Sequence, residues 1–242
     1  MKQVIVIPAR MKGTRLPGKP LIEIMGKAII HHVWDRCRKI INTENIYIAT
    51  EDDEIDMYCK KNNIQCVVTQ SAETAIDRIK YFSDLIPADA YINIQGDEPI
   101  VNIKDIETLL TYNSAYPNRV VFGKARANSE EFNDFSKAKV VCDPEGKLLY
   151  SSRAGIPINN QGKFVSAERA IWLYAFNKKA LDSYHQFQGK TYLDMLEDNE
   201  IIRFLEIGVP VYCIDMIGDS WAVDVPKDLE IVEQKLKLQN LS

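Results

Sequence analysis

Apolar residues along this chain follow two rhythms. Val4-Ile5-Val6-Ile7, Ile46-Tyr47-Ile48-Ala49-Thr50, Gln65-Cys66-Val67-Val68-Thr69 and Tyr91-Ile92-Asn93-Ile94 are short, β-branched runs that predict buried parallel strands. Between them the spacing turns helical. Ile29-Ile30, Val33-Trp34, Cys37 and Ile40-Ile41 make one apolar stripe, broken at Asn42, and Ile103 to Leu110 makes another. Glu51-Asp52-Asp53-Glu54 opens a helix after the second strand, its carboxylates complementing the helix dipole. Four acids together also suggest a metal, but the dipole explains them more simply. Strands alternating with helices predict an α/β fold, a mostly parallel sheet with helices on both faces. Ligands of such sheets bind beyond the carboxyl ends of the strands, so the loops after Ile7, Thr69 and Ile94 should border one crevice.

From Val120 the pattern changes. Val120 to Ala125, Ala138 to Cys142 and Lys147 to Tyr150 read as short strands, and Asp143-Pro144-Glu145-Gly146 as the turn of a hairpin between the last two. Ala170 to Phe176 is almost wholly apolar and predicts a strand buried on both faces. Helices follow over Lys178–Phe187 and Tyr192–Ile207, then a strand over Val209–Ile214 and a helix opened by Pro226. No repeat, low-complexity segment or linker interrupts the chain. The expectation is one unit over residues 1–242 carrying a β-rich lobe at about 120–176.

Composition narrows the function classes. With 242 residues, 46% hydrophobic and 26% charged, this is an ordinary globular composition, large enough for one α/β domain. A net charge of −4 argues against a nucleic-acid-binding surface but leaves room for a local basic pocket. No apolar run reaches membrane-spanning length and no signal peptide precedes the first strand, so a cytoplasmic protein without a membrane partner is expected. Cys37, Cys59, Cys66, Cys142 and Cys213 are odd in number and unclustered, as reduced core thiols would be. His31 and His32 fall within a helix, without the other members of a triad.

The local basic pocket has a candidate. Val4 to Ile7 ends at Pro8, and thirteen loop residues follow, with Arg10, Lys12, Arg15 and Lys19 and the glycines Gly13 and Gly18. Glycine lets backbone N–H groups approach an anion, and arginine and lysine add charge-assisted donors, so the loop reads as a phosphate holder. It is not the familiar phosphate loop. Gly13 to Lys19 has the G-x-x-x-x-G-K spacing, but Pro20 stands where that motif needs a hydroxyl, and Leu21-Ile22-Glu23-Ile24 resembles a strand rather than a helix. An ordinary basic surface loop explains its placement at a strand end less well.

Two aspartates complete the phosphate chemistry. Asp97, in Gln95-Gly96-Asp97-Glu98-Pro99, directly follows a buried strand; Asp224, in Ala222-Val223-Asp224-Val225-Pro226-Lys227-Asp228, precedes a helix. Mg²⁺ typically takes one or two carboxylates plus phosphate oxygens, and these are the pair expected to hold it. Each alone is equally readable as a turn or helix-start residue. With the basic loop, the metal reading is favoured.

The segment I-P-A-R-x-x-G-T-R-L-P-G-K-P-L resembles the opening signature of the sugar-activating cytidylyltransferases, specifically the CMP-Kdo synthetases (3-deoxy-manno-octulosonate cytidylyltransferases). Q-G-D-E-P at 95–99 and V-D-x-P-x-D at 223–228 match the same family. So do Ala49-Thr50-Glu51-Asp52, Asp77-Arg78, Tyr150-Ser151-Ser152-Arg153 with Ile156-Pro157, and Glu200 through Arg203 to Gly208. The resemblance runs from Val4 to about Val232. It implies a Rossmann-like enzyme, a homodimer through the β-rich lobe, that uses CTP and Mg²⁺ to activate a 3-deoxy-2-keto sugar acid for bacterial surface polysaccharide. In that reading Pro8, Ala9, Arg10, Lys19, Arg78, Gln95 and Gly96 bind the nucleotide. Arg10, Arg15 and Lys19 act on the phosphates, and Asp97 and Asp224 hold the metal. Arg153, with Arg169 as a second candidate, grips the sugar carboxylate, and Tyr174 and Glu200 face sugar hydroxyls.

The departures from the family fall elsewhere. Its S-G-T-[DE]-R is Thr74-Ala75-Ile76-Asp77-Arg78 here, and its R-H-x-G-x-Y is Arg169-Ala170-Ile171-Trp172-Leu173-Tyr174. Its L-E-Q-L-R is Asn199-Glu200-Ile201-Ile202-Arg203. The phosphate and metal residues stand, while base and sugar contacts change. Trp172 points either into the pocket or into the core, since neighbours on a strand alternate faces. A different acidic sugar, or a nucleotide-binding homologue without turnover, are the alternatives that these changes raise.

Overall fold

A computed structural model describes residues 1–13, 15–187 and 189–239. The first strand, β1 (Gln3–Pro8), occupies the middle of the sheet, and its alternation divides the core. Ile5 and Ile7 point to one face and Val4 and Val6 to the other, all four fully buried. On its two sides β1 pairs in parallel with β4 (Ile46–Thr50) and β6 (Ala90–Ile94), and β4 continues to β5 (Cys66–Val68).

Helices cover both faces, as the alternating pattern requires. On the Ile5 side lie α1 (Ile29–Cys37), α2 (Asp53–Lys61) and α4 (Ile103–Ala115), contributing Val33, Ile55 and Ile106 among others. On the Val4 side lie α3 (Ala75–Leu85), α6 (Lys178–Gln186) and α8 (Ile202–Glu206), contributing Ile79, Leu181 and Phe204. A helix at 75–85 was not among the sequence expectations. Its signal was present: Thr74 caps it by accepting from the Asp77 N–H at 3.1 Å, and Ile76, Ile79 and Phe82 form its buried stripe. After the phosphate loop, β2 (Glu23–Ile24) and β3 (Lys27–Ala28) form a small hairpin, where a single short strand was expected. Ile24, with Ile29 and Val223, forms a third cluster that receives Val232 and Leu236 of α9 (Pro226–Gln239).

Beyond β6 the sheet runs β10 (Ala167–Phe176), β7 (Val120–Ala127) and β11 (Val211–Asp215). Only β10 in this row is antiparallel to its neighbours, so the sheet is mostly parallel. The long strands β7 and β10 belong to the main sheet at one end and project from it at the other. There β10 pairs with β8 (Lys139–Cys142), and β8 forms the expected hairpin with β9 (Leu148–Ser152). The short helix α5 (Ser129–Asn133), closed by an Asn128/Glu131 capping box, lies beside them. The β-rich lobe is therefore an extension of the sheet rather than a separate layer. Between Ile171 and Tyr174 the β10–β7 register slips, and Trp172 sits in that irregularity.

The helix expected over Tyr192–Ile207 is two helices, α7 (Tyr192–Glu197) and α8, separated by Asp198 in the left-handed region at φ 45°. Tertiary contacts make the break. Glu206, two residues before Gly208, turns back and accepts from Leu193 N at 3.0 Å and Asp194 N at 3.2 Å, capping α7. Asn199 donates to Ser151 Oγ at 2.8 Å, holding the break against β9. No periodicity in the sequence reveals this fold-back.

The carboxyl ends of β1 and β6 meet at Gly96. A Cβ there would lie 2.6 Å from the Pro8 carbonyl oxygen, a backbone atom with nowhere to move. Gly96→Ala should therefore destabilise the protein by about 1–3 kcal/mol, as overpacking does. A lowered urea midpoint at unchanged slope would register it; an unchanged midpoint would mean that the two strand ends separate freely.

Candidate active site

A cavity of about 400 Å³ opens at the carboxyl ends of the parallel strands. Its wall includes Pro8, Ala9 and Arg10 after β1, Ala72 and Glu73 after β5, and Gln95, Gly96 and Asp97 after β6. The three loops expected to share a crevice do so. The chain leaves β1 with Ala9 N donating to Ala49 O at 2.9 Å, and Met11 N then donates to Asp52 Oδ2 at 2.7 Å. Gly18, at φ 69°, closes the loop by donating to Met11 O at 2.9 Å. Of the four acids at 51–54, Asp53 and Glu54 serve the first turn of α2 as expected, while Asp52 fastens the basic loop.

Lys19 is the centre of the basic end. Its Nζ donates to Asp97 Oδ2 at 2.6 Å and lies 3.4 Å from Asp224 Oδ1, which also accepts from Arg15 Nη2 at 3.1 Å. Val223 N donates to Asp97 O at 2.9 Å, so the two aspartate loops are tied by backbone. The helix-start duty that Asp224 was free to perform belongs instead to Asp228. Its Oδ2 accepts from Asp224 N at 2.8 Å and Val225 N at 2.9 Å. Burial raises the pKa of Asp228, but these N–H donors outweigh it and hold the carboxyl below its ordinary value. Asp224 is left with its carboxylate facing the cavity. Arg10 and Arg15 line the same end and are exposed.

Arg78 lines the floor. It is 2% exposed, donates Nη1 to Thr69 Oγ1 at 2.9 Å and lies 3.7 Å from Glu51. Burial draws its pKa below the usual guanidinium value, against the pull of Glu51. Glu51 in turn is lowered by the Ser71 hydroxyl and then, after the opposing cost of burial, by Arg78. The N-terminus of α3 points here as well, with Thr74 and Ala75 on the wall.

The opposite wall is built from β10 and the broken helix: Trp172, Lys190, Asp194, Asp198 and Glu200. Trp172 faces the cavity while the rest of its ring packs toward Phe122, with centroids 5.9 Å apart. Glu200 Oε2 accepts from Ile76 N at 3.2 Å, joining the loop before α8 to the start of α3. Burial raises its pKa to about 7 against the help of that N–H and of Thr74. Asp194 is fully buried; its Oδ2 accepts from Arg203 Nη2 at 3.0 Å, and among the described residues its Oδ1 has no hydrogen-bond partner.

The remaining expected sugar contacts lie outside this wall. Tyr174 is fully buried behind it, stacked on Phe122 at 5.0 Å between centroids, its pKa raised by burial and then by Glu200. Arg153 is not brought into the cavity. Its guanidinium donates to the carbonyl oxygens of Glu197 at 2.8 Å, Phe135 at 3.2 Å and Asp198 at 2.9 Å, bracing the end of α7. Arg169 likewise lies away from it, paired with Glu131 at 2.8 Å and donating to Gly218 O at 2.5 Å. Asp194 and Asp198 lie on what reads as the polar side of one long helix over Tyr192–Ile207, and Lys190 in the connection before it, so the sequence pattern does not mark them.

A nucleotide-handling α/β sheet with a basic strand-end loop facing two carboxylates defines a nucleotidyltransferase site. The chain belongs to the cytidylyltransferase family, whose profile matches residues 4–211. It is 34% identical to 3-deoxy-manno-octulosonate cytidylyltransferase 2 of Hydrogenovibrio crunogenus, over 98% of either chain. It is 32% identical to the 8-amino-3,8-dideoxy-manno-octulosonate cytidylyltransferase of Shewanella piezotolerans, over 98% of this chain and 99% of that one. Among solved structures, a CMP:2-keto-3-deoxy-manno-octonic acid synthetase complexed with CTP superposes with a TM-score of 0.92 at 30% identity, covering 99% of this chain and 100% of that one. The protein is a nucleotidyltransferase enzyme.

Glu200 makes the site's stability pH-dependent in a definite direction. Its folded pKa is raised, so between its ordinary value of 4.5 and about 7 the folded state binds more protons than the unfolded one. Stability must fall as pH rises through that window. Glu200→Gln should remove a slope worth on the order of 1–2 kcal/mol, since part of the residue reaches the cavity surface. Urea melts of both proteins from pH 4.5 to 7.5 measure it, and parallel pH profiles would contradict the burial of this carboxyl.

Proposed function

We propose that this enzyme transfers a cytidylyl group from CTP to the anomeric hydroxyl of a 3-deoxy-2-keto sugar acid, Kdo or a related acid, and releases pyrophosphate. One observation carries the reading: the basic loop and the Asp97/Asp224 pair face, across one cavity, a wall of sugar-sized polar contacts. The anomeric oxygen attacks the α-phosphorus in line, the bond to the β-phosphate oxygen breaks, and the hydroxyl proton is lost to solvent. Such transfer depends on positioning and charge neutralisation more than on covalent help from the protein. Arg10, Arg15 and Lys19 hold the β- and γ-phosphates. Pro8, Ala9, Arg78, Gln95 and Gly96 shape the nucleotide's seat, Gly96 by letting backbone pass where a side chain cannot.

The carboxylate pair suits Mg²⁺. Asp97 and Asp224 already converge on one cation, the Lys19 ammonium, 2.6 and 3.4 Å away. An oxygen-only set of one or two carboxylates, completed by phosphate oxygens and water, is what this ion takes. Among the described residues no three His, Cys, Asp or Glu side chains gather as metal ligands, which leaves the other positions to the nucleotide. When bound, the ion neutralises charge at the α-phosphate and acidifies the attacking hydroxyl. For the acceptor, Glu200 is in place on the wall. Arg153 is held by backbone carbonyls, Arg169 by Glu131 and Tyr174 by burial behind the wall, so none of the three is assigned to the acceptor.

Lys19→Ala and Arg15→Ala should lower kcat/KM for CTP by about 100- to 1000-fold, the usual loss when a charged transition-state partner is removed. Asp97→Asn, Asp224→Asn and EDTA treatment of the native enzyme should each nearly abolish pyrophosphate release. Full activity in any of the four variants, or in EDTA, would remove that group from the mechanism.

We also infer a homodimer. The β-rich lobe leaves Phe135, Leu149, Ile158 and Val165 more than half exposed, apolar surface of the kind that a second copy covers. Light scattering should give twice the 27.6 kDa chain mass, and Phe135→Glu with Val165→Glu should halve it. A native monomer would rule the dimer out.

A further inference from the structure

Lys19 has two claims on its charge. Its ammonium lies 2.6 Å from Asp97 Oδ2 and 3.4 Å from Asp224 Oδ1, and Arg15 Nη2 lies 3.1 Å from that same Asp224 oxygen. Two carboxylates thus face two cations, and the charges of these four groups cancel. Yet Lys19 and Arg15 also line the cavity and are the groups that hold the triphosphate in the reading above. An ammonium carries one charge and three donors, and it cannot serve both partners fully. A triphosphate, with several negative charges, is the stronger claimant.

The chain fixes the base of this side chain and leaves its tip to move. Gly18, at φ 69°, donates to Met11 O at 2.9 Å, Leu21 N donates to Gly18 O at 3.0 Å, and Ile22 N donates to Lys19 O at 3.2 Å. The Lys19 backbone is pinned in this way inside one tight turn, Lys19–Leu21, with Pro20 buried. The ammonium rides on a flexible four-carbon stem. The carboxylate loops have anchors of their own. Val223 N donates to Asp97 O at 2.9 Å and Asp224 N to Asp228 Oδ2 at 2.8 Å, bonds that do not involve Lys19. Departure of the ammonium therefore leaves both aspartates in place and uncompensated, and like charges so held repel until another cation comes between them. A pair neutralised by Lys19 and Arg15 attracts a divalent cation weakly. The same pair, with those cations drawn to phosphate, attracts it strongly.

We propose that Lys19 is an exchangeable internal counter-ion. In the nucleotide-free enzyme its ammonium holds the place between Asp97 and Asp224, and the triphosphate draws it away, so that the divalent-ion site forms only as CTP binds. The proposal rests on the cytidylyltransferase reading and adds the order in which that site fills. By linkage, each ligand then raises the affinity for the other. The exchange also keeps the aspartate pair from taking up a divalent cation with no nucleotide in place.

Mn²⁺ serves as the probe, since it takes the same carboxylate and phosphate oxygens. Its effect on water-proton relaxation grows when it joins the slowly tumbling protein. In the wild type without nucleotide that enhancement should be weak, and it should appear when CTP is added. In Lys19→Met, which keeps a long stem and removes the charge, it should appear without CTP. Mn²⁺ affinity should rise there by about tenfold or more, the scale on which a neighbouring charge shifts a carboxylate's own proton affinity. Lys19→Arg, which keeps the charge, should behave as the wild type, and adding Asp97→Asn to Lys19→Met should abolish the gain. Lys19→Gln replaces Lys19→Met if the latter does not fold. Equal nucleotide-free Mn²⁺ affinity in the wild type and Lys19→Met, an equal gain in Lys19→Arg, or a gain that survives Asp97→Asn would each overturn the exchange. With CTP binding intact by calorimetry, those results leave the transferase reading standing. No CTP binding, together with no pyrophosphate from CTP and any sugar acid, would overturn both.

Discussion

The position of Lys19 between Asp97 and Asp224 is the constraint on which the site depends. The three residues come from loops 78 and 205 positions apart, and their charges meet within 3.4 Å. Carboxylates held this close repel unless a cation lies between them. The architecture that brings them together is generic: β1 and β6 are adjacent parallel strands, so their carboxyl ends open side by side. The particular closeness is not generic. It needs Gly96, whose missing side chain lets the loop after β6 cross the end of β1, and the Val223–Asp97 backbone bond that draws the third loop in.

The opposite wall depends on a different kind of contact. Arg203 is almost fully buried and reaches Asp194 and Asp77 from one guanidinium, so α7, α8 and α3 share a single charged anchor. A buried pair of this sort is weak evidence for stability but strong evidence for a fixed geometry, since removing one partner strands the other. Here it ties both halves of the broken helix to α3. Trp172, placed at the register slip in β10, completes that wall, as irregularities next to functional sites often re-aim a side chain. The basic end thus derives from the carboxyl ends of central strands, and the opposite wall from a helix that does not continue.

Much of the fold is legible in the chain because its signals are local. Four short β-branched runs with helical segments between them give the parallel sheet, and Gly, Arg and Lys at the end of the first run mark the phosphate loop. Asp97 and Asp224 can be singled out because each follows or precedes a clear element boundary. Helix α3 is equally local, since its Thr74 cap and its Ile76, Ile79 and Phe82 stripe are adjacent in the sequence. The fold-back at α7 and α8 is different. Tyr192 to Ile207 has the spacing of one helix, and only Glu206 returning to α7 and Asn199 reaching Ser151 divide it.

The sequence by itself therefore determined the α/β class, the family resemblance, the basic loop and the two aspartates that converge on Lys19, all carried by residues near one another in the chain. Tertiary structure decided which side chains share the wall opposite the basic loop. It turned Trp172 to the cavity, left Tyr174 behind the wall, committed Arg153 and Arg169 to partners elsewhere, and brought in Lys190, Asp194 and Asp198. The physical reason is that periodicity reports which face of an element is apolar, whereas a polar residue's role depends on the partner it finds. Those partners lie tens to more than a hundred residues away, as Arg203 is from Asp77 and Glu200 from Ile76.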